Sequence, residues 1–526
     1  MKLSPRSILQ LQLELKSKLK GVFLLLILAL IPMITSNIAL ASPEFSRAEF
    51  FLEKNDNFQA AQRFYDIINN PKYKIEHSKA LYSLSKALTK IGFNQSAIYF
   101  LTAIARVNSA SKYMDPALEA LYEIGFQIGD ESALKYSLSK IDLSQFPAGK
   151  MDLLYYRLGE VYLEKNDLKN AISSYAKITS ESKLFGKSRY NMGMAYAELQ
   201  NPKLSVKYFT QAVNARRKNG VTDTQRVGAL IGRARALYQM GRWDNSISTY
   251  KMIPRDSEFW HSSLFESTWA YLRSGKFRSA MSNFQSLHSK FYESYYLPES
   301  LVLRSIVYLY ICKYEEVDKV LTTYNEVYGR LQVQILNYLK DKRQNREDLI
   351  QMNNMLSDIA KGKELPKSYS GIPSLALRHI SRSANFKKSY KYLKFLYEER
   401  NLNSIQNDFW KRSALSKQIA KDLTQRISIS EKYVGALIRK SLILMNEELL
   451  EFSDQKEFIK VEVTTAKTEG AMKKMRGTDD TSAPITAKNS RDFYITNGYE
   501  YWPFQGEYWL DEIGNYQYVG ASQCTR

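Results

Sequence analysis

The chain has 526 residues, of which 44% are hydrophobic, so it can bury a sizeable core and has room for about two to four domains. Its formal net charge is +21, from 75 Lys and Arg against 54 Asp and Glu. Two Cys and four scattered His are too few and too far apart to form a zinc knuckle.

Residues 1–41 have the pattern of a secretory signal peptide. Basic residues precede an uncharged run over 21–41, whose strongly apolar part ends at Pro32. The small-x-small pattern that ends at Ala41 is typical of a signal-peptidase site, so we expect cleavage between Ala41 and Ser42. The alternative is an uncleaved anchor, because 21 uncharged residues are enough to span a bilayer.

Residues 42–150 carry a degraded form of a helical-hairpin pattern that recurs more clearly further along the chain. Phe58, Ala61 and Tyr65 match the second half of one hairpin, and Ala97 follows Ala61 at 36 residues. The terminal repeats of a stacked array are often atypical because they cap the stack. We therefore predict divergent helical repeats in this range.

The clearest copies lie within 151–331. Gly159 and Gly193 are 34 residues apart, and so are Tyr175 and Phe209. Two further copies follow, the first after seven extra residues, and a fifth comes after a 37-residue step. Small residues twelve positions apart let two antiparallel helices approach closely, and aromatic residues fill the remaining space. One such pair cannot bury its apolar stripe alone, so neighbouring pairs must stack.

This period and spacing resemble the tetratricopeptide repeat. The resemblance implies an all-α solenoid of stacked helix hairpins, in which the first helix of each pair lines a concave groove for protein partners. The residues that project onto this groove are Tyr156, Glu160, Tyr190, Met194, Arg235, Tyr238, Phe265, Trp269, Arg273 and Tyr310. The alternative for each of them is packing between repeats. The family's carboxylate-clamp version needs Lys and Asn where this chain has Tyr156 and Glu160, which argues against that type of ligand.

Residues 332–475 are predicted to form further helices of a different type. Within 378–440 there are fifteen Lys or Arg against five Asp or Glu, which makes an anionic envelope surface an alternative partner for this region. A heptad-like run then comprises Ile438, Leu442, Met445, Leu449, Phe452, Lys456, Ile459 and Val463. Its alternating spacing of four and three predicts a helix packed along another helix, either within the chain or from another chain.

The composition of 476–490 is that of a linker, whereas 491–526 is a tail crowded with aromatic residues. We expect the tail to fold back on the solenoid, since a large exposed apolar patch is rare in soluble proteins. Its predicted anchors are Trp502, Phe504, Tyr508 and Trp509. Cys312, in a predicted repeat helix, and Cys524 either form a disulfide that locks this return or remain two unpaired thiols.

The tail sequence from Trp502 to Gly514 also resembles the C-terminal endings of some exported tetratricopeptide proteins associated with bacterial gliding-motility and envelope machinery. The stretch is short, and the resemblance implies a setting in the cell envelope rather than an activity.

No motif indicates an active site, since the chain contains no HExxH, no Walker-type loop and no GxGxxG that opens a helix. We therefore predict neither a metal nor a cofactor. Glu507, Asp511 and Glu512 form one carboxylate cluster beside aromatic residues, a combination that glycan-cleaving enzymes use. A solvated face is the simpler interpretation, because so short a tail gives the cluster little enclosure.

The sequence thus favours a non-enzymatic exported scaffold, periplasmic or envelope-associated, that holds other envelope proteins, such as those of a motility or envelope assembly. One alternative is a cell-wall or glycan-acting protein whose repeats only deliver it. Another is a binder of anionic surfaces through 378–440. Nucleic acid would suit the charge but not the compartment. The oligomeric state is left open.

Overall fold

The structure, a computed structural model, describes residues 42–107, 111–128, 137, 151–215, 223–340, 345–475, 508–516, 518 and 524. The fold is an all-α solenoid, as predicted, and in this part of the chain the strands Ser368–Tyr369 and Ile372–Pro373 form one small antiparallel pair. The predicted signal peptide (1–41) and linker (476–490) lie outside the described residues. Within the described ranges, no helix combines the length and apolar character needed to cross a bilayer.

The chain packs into two compact units, and the first combines residues up to Ala117 with Asn403–Ile419. Its helices are α1 (Pro43–Glu53), α2 (Asn57–Asn69), α3 (His77–Lys90), α4 (Asn94–Val107) and α20 (Asp408–Arg412), while α5 (Met114–Ile128) begins here. Trp410 of α20 is fully buried, with its ring centroid 5.1 Å from Phe58 and 5.6 Å from Phe93. Its indole N–H donates to Asn403 Oδ1 at 2.7 Å, which satisfies the one polar atom that burial would otherwise leave unpaired.

The second unit comprises Leu118–Leu402 and Ala420–Arg526. Among its described residues, five consecutive hairpins lie within 151–324, and we name the first helix of each an A helix and the second a B helix. The A helices are α6 (Met151–Glu164), α8 (Phe185–Glu198), α10 (Asp223–Gln239), α12 (Trp260–Arg273) and α14 (Pro298–Tyr310). The B helices are α7 (Leu168–Ala176), α9 (Pro202–Asn214), α11 (Trp243–Tyr250), α13 (Phe277–Leu287) and α15 (Tyr314–Tyr324).

Five later helices lie wholly or mostly in this unit: α16 (Arg330–Lys340), α17 (Asn345–Ala360), α18 (Ser374–Arg382), α19 (Ala384–Ile405) and α21 (Ala414–Met475). The last three residues of α19 and the first six of α21 belong to the first unit. The heptad-like run lies on α21, and all its members are buried except Phe452, which is half-buried. The run packs within the chain, since Lys456 donates to Asn325 Oδ1 at 2.8 Å and Leu449 accepts from the hydroxyl of Tyr324. The first of the two predicted alternatives, packing inside the chain, therefore holds for this helix.

One turn recurs between the A and B helices. In all five hairpins the second residue after the A helix has a positive φ, between +56° and +72°. The residues at this position are Asn166, Gln200, Gly241, Gly275 and Cys312. Left-handed backbone ends a helix sharply, and it is a conformation that glycine and asparagine adopt at little cost. In two hairpins the next residue, Asp167 or Asn201, also caps the B helix with its side chain.

The repeat spacing places small residues where helices cross. A Cβ at Gly159 would lie 2.5 Å from the ring of Tyr175, and one at Gly193 would lie 2.8 Å from the ring of Phe209. Twelve residues after Gly193, the hydroxyl of Ser205 donates to the glycine carbonyl at 2.8 Å. The predicted close approach is therefore present, and a hydrogen bond reinforces it.

Gly159→Leu and Ala171→Leu should each lower the free energy of unfolding by about 1–3 kcal/mol, because each forces a large side chain into a filled helix crossing. Ala171 is fully buried, and the ring of Tyr175 occupies the space beside Gly159. Urea unfolding measures the effect. Lys169→Leu, an exposed position on the same B helix, is the control and should change stability by less than about 0.5 kcal/mol. Wild-type stability in both test variants would contradict the repeat register.

Candidate partner-binding face and docked tail

The ends of the five A helices present two rows of side chains on one helix face. The first row is the last residue of each A helix, and the second is the residue four positions earlier, so the two rows lie side by side. We call these ten residues the A face. They are Glu160, Glu164, Met194, Glu198, Arg235, Gln239, Trp269, Arg273, Ile306 and Tyr310.

Most of the A face is open to solvent. The exposed fraction is 42% for Met194 and 74% for Tyr310, values well above those expected of packing residues. Glu160 and Trp269 are half-buried, and the remaining members are exposed. Because equivalent positions of stacked repeats form continuous surfaces, these side chains line one shared strip of the second unit.

An ion pair joins neighbouring A helices at this strip. The guanidinium of Arg235 donates to both carboxylate oxygens of Glu266, at 2.7 and 2.6 Å, and the hydroxyl of Tyr250 donates to the same carboxylate at 2.9 Å. These hydrogen bonds raise the pKa of Arg235, and burial raises the pKa of Tyr250. A bidentate contact fixes orientation as well as charge, so Arg235 is held in place although its side chain is 62% exposed.

Two predicted groove residues are corrected by the structure. Tyr156 and Phe265 are each only 8% exposed, and Tyr156 packs edge-on against Tyr175, so both belong to the core. Their position, three residues before the small residue of the A helix, faces the B helix. Tyr190 shares this position and packs against Phe209, while Tyr238 packs against Trp243; both are half-buried.

Sequence reasoning missed four members of the A face: Glu164, Glu198, Gln239 and Ile306. The signal that would have found them is the repeat step itself. Glu198 follows Glu164 at the 34-residue spacing already used for the glycines, and Arg273 follows Gln239 at the same spacing. Extending the register from the predicted residues Arg273 and Tyr310 would have identified the whole row.

The described part of the tail docks on helices α12 and α13. The backbone N–H groups of Gly514 and Tyr518 donate to the hydroxyls of Ser286 and Ser282, at 2.8 and 3.0 Å. Gly514 lies so close to Trp260 that a Cβ there would come within 2.8 Å of the indole. The buried side chain of Ile513 adds an apolar anchor. The expected return of the tail to the solenoid is thus observed for these residues.

The anchors of the tail differ from those predicted. Trp509 is 61% exposed, so it does not anchor the docked tail. The buried side chain in this part of the tail is that of Ile513. Tyr508 is half-buried, and its hydroxyl accepts a hydrogen bond from Gln285 at 3.3 Å. Trp502 and Phe504 lie outside the described residues.

Cys312 and Cys524 form a disulfide, with sulfurs 2.07 Å apart. Cys312 was predicted to lie in a repeat helix, and this was wrong. It lies in the turn between α14 and α15, at the positive-φ position. At this turn Cys312 is half-buried, and its sulfur is bonded to that of Cys524 in the tail. Beside it, the ammonium of Lys313 lies 5.5 Å from the ring centroid of Tyr518, a cation–π contact that holds the same part of the tail.

Internal contacts occupy part of the basic region 378–440. The Arg382 guanidinium stacks 3.8 Å from the ring centroid of Tyr295 and donates to the Ser294 carbonyl. Further basic residues with internal partners are Lys387, which pairs with Glu258, Arg426, which pairs with Asp422, and Arg439, which pairs with Asp348. Lys391 and Lys394 on α19 and Lys421, Lys432 and Lys440 on α21 are exposed. An anionic surface as partner of this region stays a prediction.

His261 and the tail carboxylates are titratable groups outside the A face. His261 is buried between Tyr292 and Tyr295, and burial lowers its pKa to about 4. Asp511 and Glu512 of the predicted carboxylate cluster are exposed on a turn, and Glu507 lies outside the described residues. In the described part of the chain, no three His, Cys, Asp or Glu side chains are grouped as metal ligands.

Residues 153–183 and 186–219 match the tetratricopeptide repeat family model, so helices α6 to α9 are tetratricopeptide repeats. No curated protein matches the sequence of this chain.

Several solved structures are similar at low identity. A tetratricopeptide repeat protein from Parabacteroides merdae is 16% identical over 54% of this chain and 91% of its own, with a TM-score of 0.24. The apo form of RapI is 12% identical over 74% of this chain and 98% of its own, with a TM-score of 0.32. The Rap conjugation gene regulator of plasmid pLS20, in complex with the Phr* peptide, is 13% identical over 64% and 96%, with a TM-score of 0.26.

Proposed function

We propose that this chain is a non-enzymatic, exported scaffold that holds another protein of the cell envelope along its A face. The observation that carries the proposal is the alignment of exposed side chains on consecutive A helices, with Arg235, Trp269, Arg273 and Tyr310 among them. Trp, Tyr and Arg are the residues that most often anchor protein partners. Stacked repeats use such strips as extended binding surfaces.

Export rests on the pattern of residues 1–41 and on two features that suit it. The backbone N–H of Ser42, the expected first residue after cleavage, donates to Glu76 Oε1 at 2.7 Å. A free α-amino group at Ser42 would be charged and would convert this hydrogen bond to an ion pair. The disulfide between Cys312 and Cys524 is of the kind that persists in oxidising compartments.

The glycan-acting alternative has less support. Asp511 and Glu512 lie exposed on a turn, and an acid and base that cleave a glycan need positions on either side of an enclosed substrate. Their neighbourhood is used instead to dock the tail, since Arg255 donates to the Asp511 carbonyl at 3.2 Å. The scaffold therefore remains the better supported function.

A photo-crosslinking amino acid placed at Met194 or at Tyr310 should capture the same envelope protein in living cells, because both positions lie on the A face. The matched control is Lys203, an exposed residue on the B helix α9. We expect the two test positions to give the same crosslinked band and the control to give none. The band should be found in the envelope fraction, and the crosslinked chain should begin at Ser42. Equal capture at Lys203, or different proteins at the two test positions, would refute the A face as a binding strip.

A further inference from the structure

The charge of the A face changes along the stack. On the first two A helices, α6 and α8, the face carries Glu160, Glu164 and Glu198, and its remaining member there is Met194. On the last three, the face carries Arg235, Arg273 and only neutral side chains besides. Acidic and apolar ends of one strip are thus separated by the length of the repeat array.

At the acidic end, the members of the A face on α6 and α8 are three Glu and one Met, so the face itself carries negative side chains there. The guanidinium of Arg157 lies with Nη1 3.7 Å from the Glu164 carboxylate, too far for a good hydrogen bond. The Glu164 side chain is 62% exposed, and Glu198 is also exposed. Glu164 and Glu198 therefore present exposed carboxylates at this end, and a basic ligand group would find acceptors with room to bind.

The other end carries a group of apolar side chains, with the exposed charge of Arg273 beside them on α12. Arg235 is already matched by Glu266, so its charge is satisfied within the protein. Tyr310 stacks on Phe277 with ring centroids 6.0 Å apart, and both rings are exposed. Ile306 lies beside them, one turn before Tyr310 on the same helix, and is exposed as well. These side chains form an apolar platform at α14, with Trp269 next to it on α12.

From this asymmetry we infer that the A face binds an extended protein segment with Lys or Arg at one end and aromatic or large apolar side chains at the other. The inference rests on the proposed function and names the partner's chemistry. The basic end lies over α6 and α8, and the apolar end lies over α12 and α14. Packed helices are about 8–10 Å apart, so four steps span about 35 Å. An extended chain covers about 3.3 Å per residue, which gives a segment of about ten residues.

The test uses the full chain and fluorescent peptides of twelve residues. A block peptide has four lysines, a four-residue Gly-Ser-Gly-Ser spacer and four residues chosen from Leu, Phe and Trp. A mixed peptide has the same composition with lysines and apolar residues alternating. We expect the block peptide to bind with a Kd at least tenfold lower than the mixed one. Glu164→Lys with Glu198→Lys should remove this preference, whereas Glu315→Lys, an exposed acidic residue on the B helix α15, should leave it unchanged.

A photo-crosslinker on each end of the block peptide reads the direction of binding. We expect the lysine end to react with residues of α6 and α8, and the apolar end with residues of α12 and α14. Equal affinity for the two peptides, a preference that survives the double charge reversal, or crosslinks without this order would overturn the inference. Those results would leave the scaffold proposal standing if Met194 and Tyr310 still captured one partner in cells, so the two failures are distinguishable.

Discussion

Replacing Arg439 with Met should lower the free energy of unfolding by about 3–5 kcal/mol, because it leaves a buried carboxylate without its counter-ion. Arg439 on α21 lies with Nη1 3.7 Å from Oδ2 of Asp348 on α17, whose side chain is fully buried. Tyr338 of α16 donates its hydroxyl to the other oxygen of the same carboxylate. Three helices meet at this group, so its charge affects the packing of all of them.

The double variant Asp348→Leu with Arg439→Met is the matched control, since it removes both charges and should recover most of the loss. The pH dependence separates charge from packing. Burial raises the pKa of Asp348, so in the single variant the carboxyl can take up a proton as pH falls, and the deficit should shrink from pH 7 to pH 5. A deficit that is independent of pH and unrelieved by the double variant would mean that Arg439 contributes only its aliphatic stem.

Cys524→Ser should lower the free energy of unfolding by about 2–5 kcal/mol, because the disulfide closes a long loop in the unfolded chain. Cys312 and Cys524 are 212 positions apart, and the chain-entropy model gives about 5 kcal/mol for so long a loop, as an upper value. Urea unfolding without reductant measures the loss. Reduced wild-type protein should match Cys524→Ser, and a wild type insensitive to reductant would contradict the prediction.

Cys312 offers a second control because of its backbone. Its φ is +58°, in the turn where two other hairpins have glycine. Cys312→Gly and Cys312→Ser both remove the sulfur, but only glycine adopts this conformation without steric cost, so the glycine variant should be the more stable by about 1 kcal/mol. Equal stability of the two would show that the turn is not strained by a side chain.

The repeats could be predicted because their signal is local and periodic. Small residues at the helix crossing, such as Gly159 and Gly193, must recur at the step of the hairpin, since a larger side chain would clash with the ring packed there. The heptad run on α21 was also readable, because a buried helix face repeats every three or four residues whatever it packs against. Which neighbour it meets depends on contacts between distant parts of the chain.

The errors have other sources. Tyr156 and Phe265 were assigned to the groove by projecting the first-helix positions of the repeat family, but burial depends on which side of the helix meets the B helix. Cys312 was placed in a helix because a Cys at this position does not indicate a left-handed turn, whereas a Gly or Asn there would have predicted one. The buried position of Ile513 and the exposure of Trp509 follow from the surface on which the tail docks, which the tail's own sequence does not describe.

The return of 403–419 to the first unit has a consequence for the order of synthesis. Phe58 and Phe93 leave the ribosome early, but Trp410, which covers them, follows roughly 300 residues later, or about 15–60 s at usual rates of elongation. Until then the rings of Phe58 and Phe93 lack the indole that packs on them, and this apolar surface is open to chaperones. A polypeptide that stops short of Trp410 therefore lacks the side chain that packs on Phe58 and Phe93, and its N-terminal unit stays incomplete.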